Sequence, residues 1–349
     1  MPEPRSAVRR MAPYSPPSSG REGKLRLDFN ENTVGCSPRV LSLLAEKLTT
    51  EQLTIYPEYE ATRRALSDYF QVPEAQFLIT NGTDEAIQVL INTYVDDNDE
   101  VLILHPSYAM YKFYAEVAGA RVRELGYRPA DLSFPVEELI AAVGPQTKAI
   151  LISNPNNPTG TAIGIGDIVR ILDAAPNAAV LIDEAYYEFY GVTALRLIDE
   201  YPNLFVSRTF SKAFGMAALR VGCLFSQAEN VKFMHKAQSP YSVNLLAAIA
   251  VRAAVEDREY VDNYARAAVE SRALLCRGFD QRGIRYYPSQ ANFVLFHAGA
   301  QAIPVRDALR ARGVLVRDRS YELPGTVRVT AGTPAQVERF FSALDEVWQ

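Results

Sequence analysis

The sequence predicts an α/β fold, in which a large domain carries a mainly parallel sheet covered by helices on both faces and a smaller α+β domain follows. Three observations predict it. Short apolar runs at 100–104, 149–153, 179–182 and 204–207 alternate with stretches of helical spacing, as expected where crossover helices join parallel strands. Beyond residue 241 the character changes to long helices with a few short strands, which marks a second unit. The length, 349 residues of which 48% are hydrophobic, is ample for about two domains and a large core.

Taken in order, the chain opens with an arm. Residues before Arg10 read as a disordered tail, and Ala12-Pro-Tyr-Ser-Pro-Pro-Ser-Ser-Gly20 as an extended, poorly packed stretch. Residues 25–29 alternate like a short strand, and 38–48 form a helix begun by Ser37 and Pro38. A helix at 58–70 follows Tyr56-Pro57. The strand at 77–80 runs straight into Asn81-Gly-Thr-Asp-Glu85, after which 86–94 has helical spacing. The large domain continues with helices at 108–118, 136–143 and 166–174 and a strand at 121–125. In the second unit, helices at 247–255, 260–281, 304–312 and 334–348 accompany strands at 284–287, 292–296 and 327–330. The expected division is an arm (1–24), a segment packing with the small domain (25–48), the large domain (49–245) and the small domain (246–349).

Composition narrows the function classes. The formal net charge is −5 and the basic residues are scattered, so no electrostatic footprint for nucleic acid or an anionic membrane is present. No apolar stretch approaches spanning length, and the arm pairs its arginines with no apolar run, so neither a membrane span nor a secretory signal is expected. Three widely spaced cysteines, Cys36, Cys223 and Cys276, give neither a disulfide framework nor a zinc motif and fit a reducing, cytoplasmic setting. His105, His235 and His297 are equally dispersed, so no metal site is expected. Small-molecule chemistry is the expectation that remains.

Four segments carry that chemistry, each at the carboxyl end of an expected strand, where ligands of such sheets gather. In Arg208-Thr-Phe-Ser-Lys-Ala-Phe-Gly-Met-Ala-Ala-Leu-Arg220, Lys212 can form an imine with an aldehyde, with Thr209, Ser211 and Arg220 around it for a phosphate. A solvated surface lysine would leave the same local trace. In Ala179-Val-Leu-Ile-Asp183-Glu-Ala-Tyr186, the aspartate can pair with a protonated pyridine nitrogen, and Tyr186 can donate to a phenolate oxygen of the same ring. The plainer alternative is a capping aspartate and a core tyrosine. The two Asn-Pro steps of Ser153-Asn-Pro-Asn-Asn-Pro-Thr-Gly160 stiffen a turn that presents the Asn157 amide, again toward that oxygen, unless the segment is only a turn. At Asn81-Gly82-Thr83-Asp84 a strand turns into a helix, and the free N–H groups there make a phosphate cradle. Glycine turns with acidic caps are also routine.

In order and spacing, these segments resemble the fold-type-I aminotransferases that use pyridoxal 5′-phosphate, and more closely the histidinol-phosphate aminotransferase group. The resembling stretch runs from about Asn30 to Gly332 and includes Asn30-Glu-Asn32, Tyr56-Pro57, Pro106-Ser-Tyr108, Ser211-Lys-Ala-Phe214 and Arg328-Val-Thr-Ala-Gly332. The resemblance implies that Lys212 holds the cofactor as a Schiff base and shuttles the proton once the substrate amine displaces it. It further implies that Asp183 pairs with the ring nitrogen, that Tyr186 and Asn157 contact the ring oxygen, and that Tyr108 stacks on the ring. Gly82, Thr83, Asp84, Thr209, Ser211 and Arg220 would hold the phosphate. It also implies a homodimer in which Tyr56 reaches the neighbouring subunit's cofactor phosphate. A lysine beside Arg220 and partly desolvated is expected to have a lowered pKa.

On the substrate side, Arg328 resembles the family arginine for the substrate anion and Arg317 the second anion-binding arginine of the group, as suits a bidentate guanidinium. A surface ion pair of Arg317 with Asp318 or Glu322 is the alternative. Tyr241 and Tyr14 are candidate substrate contacts, although lone tyrosines usually only pack. Thr33-Val34-Gly35 after Asn30-Glu-Asn32 departs from the group's proline and bulky residue, near the substrate mouth. The expected reaction is amino transfer between L-histidinol phosphate and a 2-oxo acid, 2-oxoglutarate, in histidine biosynthesis. An aromatic or broad-range aminotransferase and a threonine phosphate decarboxylase are the alternatives.

Overall fold

The computed structural model describes residues 2–12 and 19–348. Tyr14, expected as a substrate contact, lies outside them. The large sheet has seven strands in the order Phe77–Thr80, Gly222–Phe225, Leu204–Thr209, Ala179–Asp183, Thr147–Ser153, Glu100–His105 and Arg121–Gly126. Gly222–Phe225 runs antiparallel to both of its neighbours, and the remaining pairs are parallel. Six strands therefore end at one edge of the sheet, and the reversed strand begins there.

The apolar runs are buried on both faces, as a covered parallel sheet requires. Leu102, Ile150, Ile152, Val180, Ile182 and Val206 enter one core, while Ile103, Leu151, Leu181 and Phe205 enter the core on the opposite face. Each such side chain contributes about 1.5–3 kcal/mol relative to exposure, so the strand ends are fixed by the packing behind them. A second sheet, antiparallel, orders Arg317–Asp318, Thr326–Thr330, Phe293–His297 and Tyr286–Tyr287. Its core gathers Phe279, Val294, Phe296, Val329 and Phe340, with the long helix Arg258–Gln281 and the closing helix Pro334–Asp345.

Several expectations are corrected. The stretch before Arg10 includes a short helix, Ser6–Arg10, that buries Ala7; Arg5 donates to the Ala118 carbonyl (3.5 Å) where Ala109–Ala118 ends. The strand expected at 25–29 is only Leu25–Arg26, paired with Val314–Leu315. Past it the backbone lodges between elements: Leu27 donates to Leu315 and accepts from Thr330, and Asn30 turns into the left-handed region at φ 56°. Helix Pro38–Lys47 packs on Leu245–Glu256, not on the small sheet, and Val40, Leu66, Ala247 and Val251 share the core of the large sheet. The nearly all-apolar surface of Leu245–Glu256 takes cover on several sides. Gly222–Phe225 and the helix Ala228–Ala237 were not anticipated, and the helix expected from residue 86 begins at Gly82.

Candidate active site

The strand ends converge on one cavity, whose lining includes Thr83, Asp84, Tyr108, Asn157, Asp183 and Tyr186 together with Thr209, Ser211, Lys212 and Arg220. At one end of it, helix Gly82–Tyr94 starts directly after the strand and points its first-turn N–H groups inward. Gly82 has φ +72°, which favours glycine, and a Cβ there would stand 2.6 Å from Arg220 Nη2, so a larger residue would push the guanidinium away from the helix start. Asp84 Oδ2 accepts from Arg220 (3.0 Å) and Oδ1 from the Tyr108 hydroxyl (2.7 Å). Ser211 Oγ lies 3.4 Å from Arg220 Nη1, and Thr209 Oγ1 accepts from the Ser211 N–H (3.1 Å). Arg220 sits just ahead of the reversed strand. Had Gly222–Phe225 run parallel, its leading residues would lie at the far edge of the sheet.

At the other end, Asp183 closes its strand with 2% exposure. Its Oδ2 accepts from Tyr111 Oη (2.7 Å) and its Oδ1 from Ser207 Oγ (2.8 Å). Burial pushes the carboxyl up to about 6, opposed by these two donors and the Ala185 N–H. Tyr186 accepts from Asn30 Nδ2 (2.9 Å), which leaves its own proton to donate. Asn157 gives its carbonyl oxygen to Arg328 Nη1, which leaves its amide N–H groups for the cavity.

Lys212 lies between the two ends, with Nζ donating to the Phe29 carbonyl (2.9 Å). Its pKa is lowered to about 8, chiefly by burial and then by Arg328, with Arg220 contributing less. The expected direction holds, but the larger electrostatic cause is the substrate-side arginine.

Arg328 and Arg317 are directly opposed on adjacent strands. Arg328 is buried, its Nη2 donates to the Asp28 carbonyl (2.7 Å), and its Nε has no partner among the described residues. Burial, then Arg319, depress its pKa to about 10. Arg317 stacks over Phe29 (5.4 Å) and has no carboxylate partner among the described residues, since Glu322 pairs with Arg319 instead. Tyr56 and Tyr241 do not line the cavity. They stack on each other at 4.3 Å on the outside, 72% and 53% exposed.

The sequence reading missed Tyr111, Ser207, Arg319, Asn30 and the Phe29 carbonyl. Two left a trace: Ser207 is two residues before Thr209 on a strand, hence on the same face, and Tyr111 is one helical turn after Tyr108. Asn30 and the Phe29 carbonyl depend on contacts 156 and 183 residues away in the chain.

The family model described as aminotransferase class I and II matches residues 22–344. This chain belongs to that family. The histidinol-phosphate aminotransferase of Symbiobacterium thermophilum is 39% identical to this aminotransferase, over 97% of both chains. Among solved structures, the histidinol-phosphate aminotransferase of Sinorhizobium meliloti in complex with pyridoxal-5′-phosphate superposes with a TM-score of 0.88 at 23% identity, covering 98% of this chain and 96% of that one. The L-threonine-O-3-phosphate decarboxylase of Porphyromonas gingivalis has a TM-score of 0.78 at 24% identity, covering 92% and 98%. Those two likenesses establish the fold. The family works with pyridoxal 5′-phosphate, and the aminotransferase's cavity fits that group: a glycine cradle with a cation at one end, a buried carboxylate at the other, and a lysine of lowered pKa between.

Proposed function

We propose that this aminotransferase moves an amino group between L-histidinol phosphate and 2-oxoglutarate in histidine biosynthesis, as a cytoplasmic homodimer. The observation that carries the reading is the opposed pair Arg317 and Arg328, without carboxylate partners among the described residues, of which Arg328 acts on Lys212, in a chain 39% identical to a histidinol-phosphate aminotransferase. Both the donor's phosphate and the acceptor's carboxylate suit guanidinium recognition.

Bound in the cavity, pyridoxal 5′-phosphate supplies an electron sink for the substrate's amino-bearing carbon. Asp183, held ionised, stabilises a protonated ring nitrogen, while Tyr186 Oη and Asn157 Nδ2 donate to the ring oxygen. Tyr108 covers a ring face. The N–H groups of Gly82, Thr83 and Asp84 grip the phosphate with Thr209, Ser211 and Arg220. Lys212 Nζ would hold the cofactor and would serve as the base that takes and returns the substrate proton; a pKa of about 8 suits that task. Arg328 orients the substrate anion, and its second bond holds Asn157 in place.

Support for the homodimer comes from the exposure of the stacked Tyr56 and Tyr241 and of Leu41, Leu53, Ile55 and Leu246, apolar groups that a partner subunit would cover. On this reading Tyr56 completes the neighbouring subunit's phosphate site and Tyr241 borders its substrate. No helix of the described residues is long and apolar enough to cross a membrane. The test is a panel of histidinol phosphate, phenylalanine, tyrosine and threonine phosphate with 2-oxoglutarate, following glutamate and carbon dioxide separately. Glutamate from histidinol phosphate is expected. Turnover of phenylalanine without histidinol phosphate, or release of carbon dioxide, overturns the reading.

A further inference from the structure

We propose that Tyr111 and Ser207 are positioning residues for Asp183: two hydroxyls, one on each carboxylate oxygen, hold it as an anion in a fixed plane facing the cavity. The inference rests on the reading that Asp183 serves the cofactor's ring nitrogen.

Three features of the structure lead to it. Tyr111 is fully buried yet keeps a hydroxyl, and its Oη donates to Asp183 Oδ2 at 2.7 Å. Ser207 is fully buried on the neighbouring strand, paired in register with Asp183, and its Oγ donates to Oδ1 at 2.8 Å. The two donors approach from different elements, helix Ala109–Ala118 and strand Leu204–Thr209, so the carboxylate cannot rotate about its Cβ–Cγ bond without breaking one of them.

The chemistry requires such a device. A carboxylate this deeply buried is driven toward its neutral form. A neutral acid carries no charge to stabilise a protonated ring nitrogen. Of the other groups near it, only the Ala185 N–H favours the anion; Asp84 carries a like charge, and Tyr108 and Tyr186 are neutral. Hydroxyl donors favour the anion without introducing a competing cation, which would take the carboxylate away from the ring. Tyr111 stays protonated at working pH, because burial and Asp183 itself drive its own pKa upward.

The experiment compares holoenzymes of wild type, Tyr111→Phe, Ser207→Ala and Asp183→Asn. It reads the pH titration of the bound cofactor's absorbance and the dissociation constant of pyridoxal 5′-phosphate by equilibrium dialysis. For Tyr111→Phe the expected result is a titration midpoint displaced by about one pH unit and cofactor affinity weakened about tenfold, as loss of one charge-assisted hydrogen bond implies. Ser207→Ala moves both the same way by less, and Ser207→Thr, which keeps the hydroxyl, restores them. The Ser207 series decides the matter if Tyr111→Phe does not fold. Wild-type midpoints and affinities in folded Tyr111→Phe and Ser207→Ala, with Asp183→Asn altered, overturn the positioning role alone. An unaltered Asp183→Asn overturns the assignment of Asp183 and this inference with it.

Discussion

The carboxyl edge of the large sheet and the arginine ledge of the small sheet meet where Arg328 bonds Asn157, but they are built on opposite terms. At the edge the charges are answered within the chain: Asp84 by Arg220 and Tyr108, Asp183 by Tyr111 and Ser207. On the ledge Arg328 and Arg317 have no carboxylate partner among the described residues, and the Nε atoms of Arg328 and Arg319 are buried without partners there. A site for a resident group is finished in advance. A site for a molecule that arrives and leaves keeps its cations waiting, at an electrostatic cost visible in the lowered pKa of Arg328.

The contrast can be broken, most severely at Lys212. Lys212→Ala is expected to lower glutamate formation by about 10⁴-fold or more, since it removes both anchor and base; a wild-type rate would refute the cofactor site. The same lysine sets a stability signature without cofactor. Its folded pKa lies below the unfolded value, so the unfolded chain binds more protons between about pH 8 and 10.5 and apo-protein stability rises across that window. Apo Lys212→Met should therefore be more stable than wild type at pH 7, by about 2–3 kcal/mol, with the gain gone above pH 10.5. Denaturant melts at both pH values read it.

On the ledge, Arg328→Leu is expected to lower kcat/KM for donor and acceptor alike, by about 100-fold, from loss of charged hydrogen bonds worth about 1.5–3 kcal/mol each. Arg317→Gln should raise KM about tenfold for phosphorylated donors and leave unphosphorylated ones nearly unchanged, because one charged contact to phosphate is lost. Equal losses for both donor classes would remove Arg317 from the phosphate site. The smallest effect belongs to the edge: Ser211→Ala removes one of several phosphate donors, and cofactor affinity should fall about fivefold, the equivalent of about 1 kcal/mol.

The same contrast decides what could be read from sequence. The edge was legible because each of its groups follows an apolar run: Asp183 after Val180-Leu-Ile182, Asn157 after Ile150-Leu-Ile152, Gly82 after Leu78-Ile79. A parallel sheet buried on both faces converts such runs into neighbouring strand ends. What escaped was whatever joins distant segments through one atom. The Phe29 carbonyl under Lys212 and Asn30 against Tyr186 lie on a stretch that looks like an ordinary strand, yet is bent away after two paired residues. Val221-Gly-Cys-Leu-Phe225 is apolar enough for a strand, but nothing local announces that it runs backwards.

That reversed strand has a consequence for how the molecule is assembled. Arg220 and Asp84 are 136 residues apart in the chain, and they meet because the strand before Asp84 pairs with the reversed strand after Arg220. Contacts of such long sequence separation form slowly and late. A phosphate bound by Arg220 and the helix start at Gly82 would therefore favour chains in which those two strands have paired, and through mass action draw the population toward them. Capture of the cofactor would thus act as a check on that one long-range pairing, carried out by the group that the finished enzyme will use.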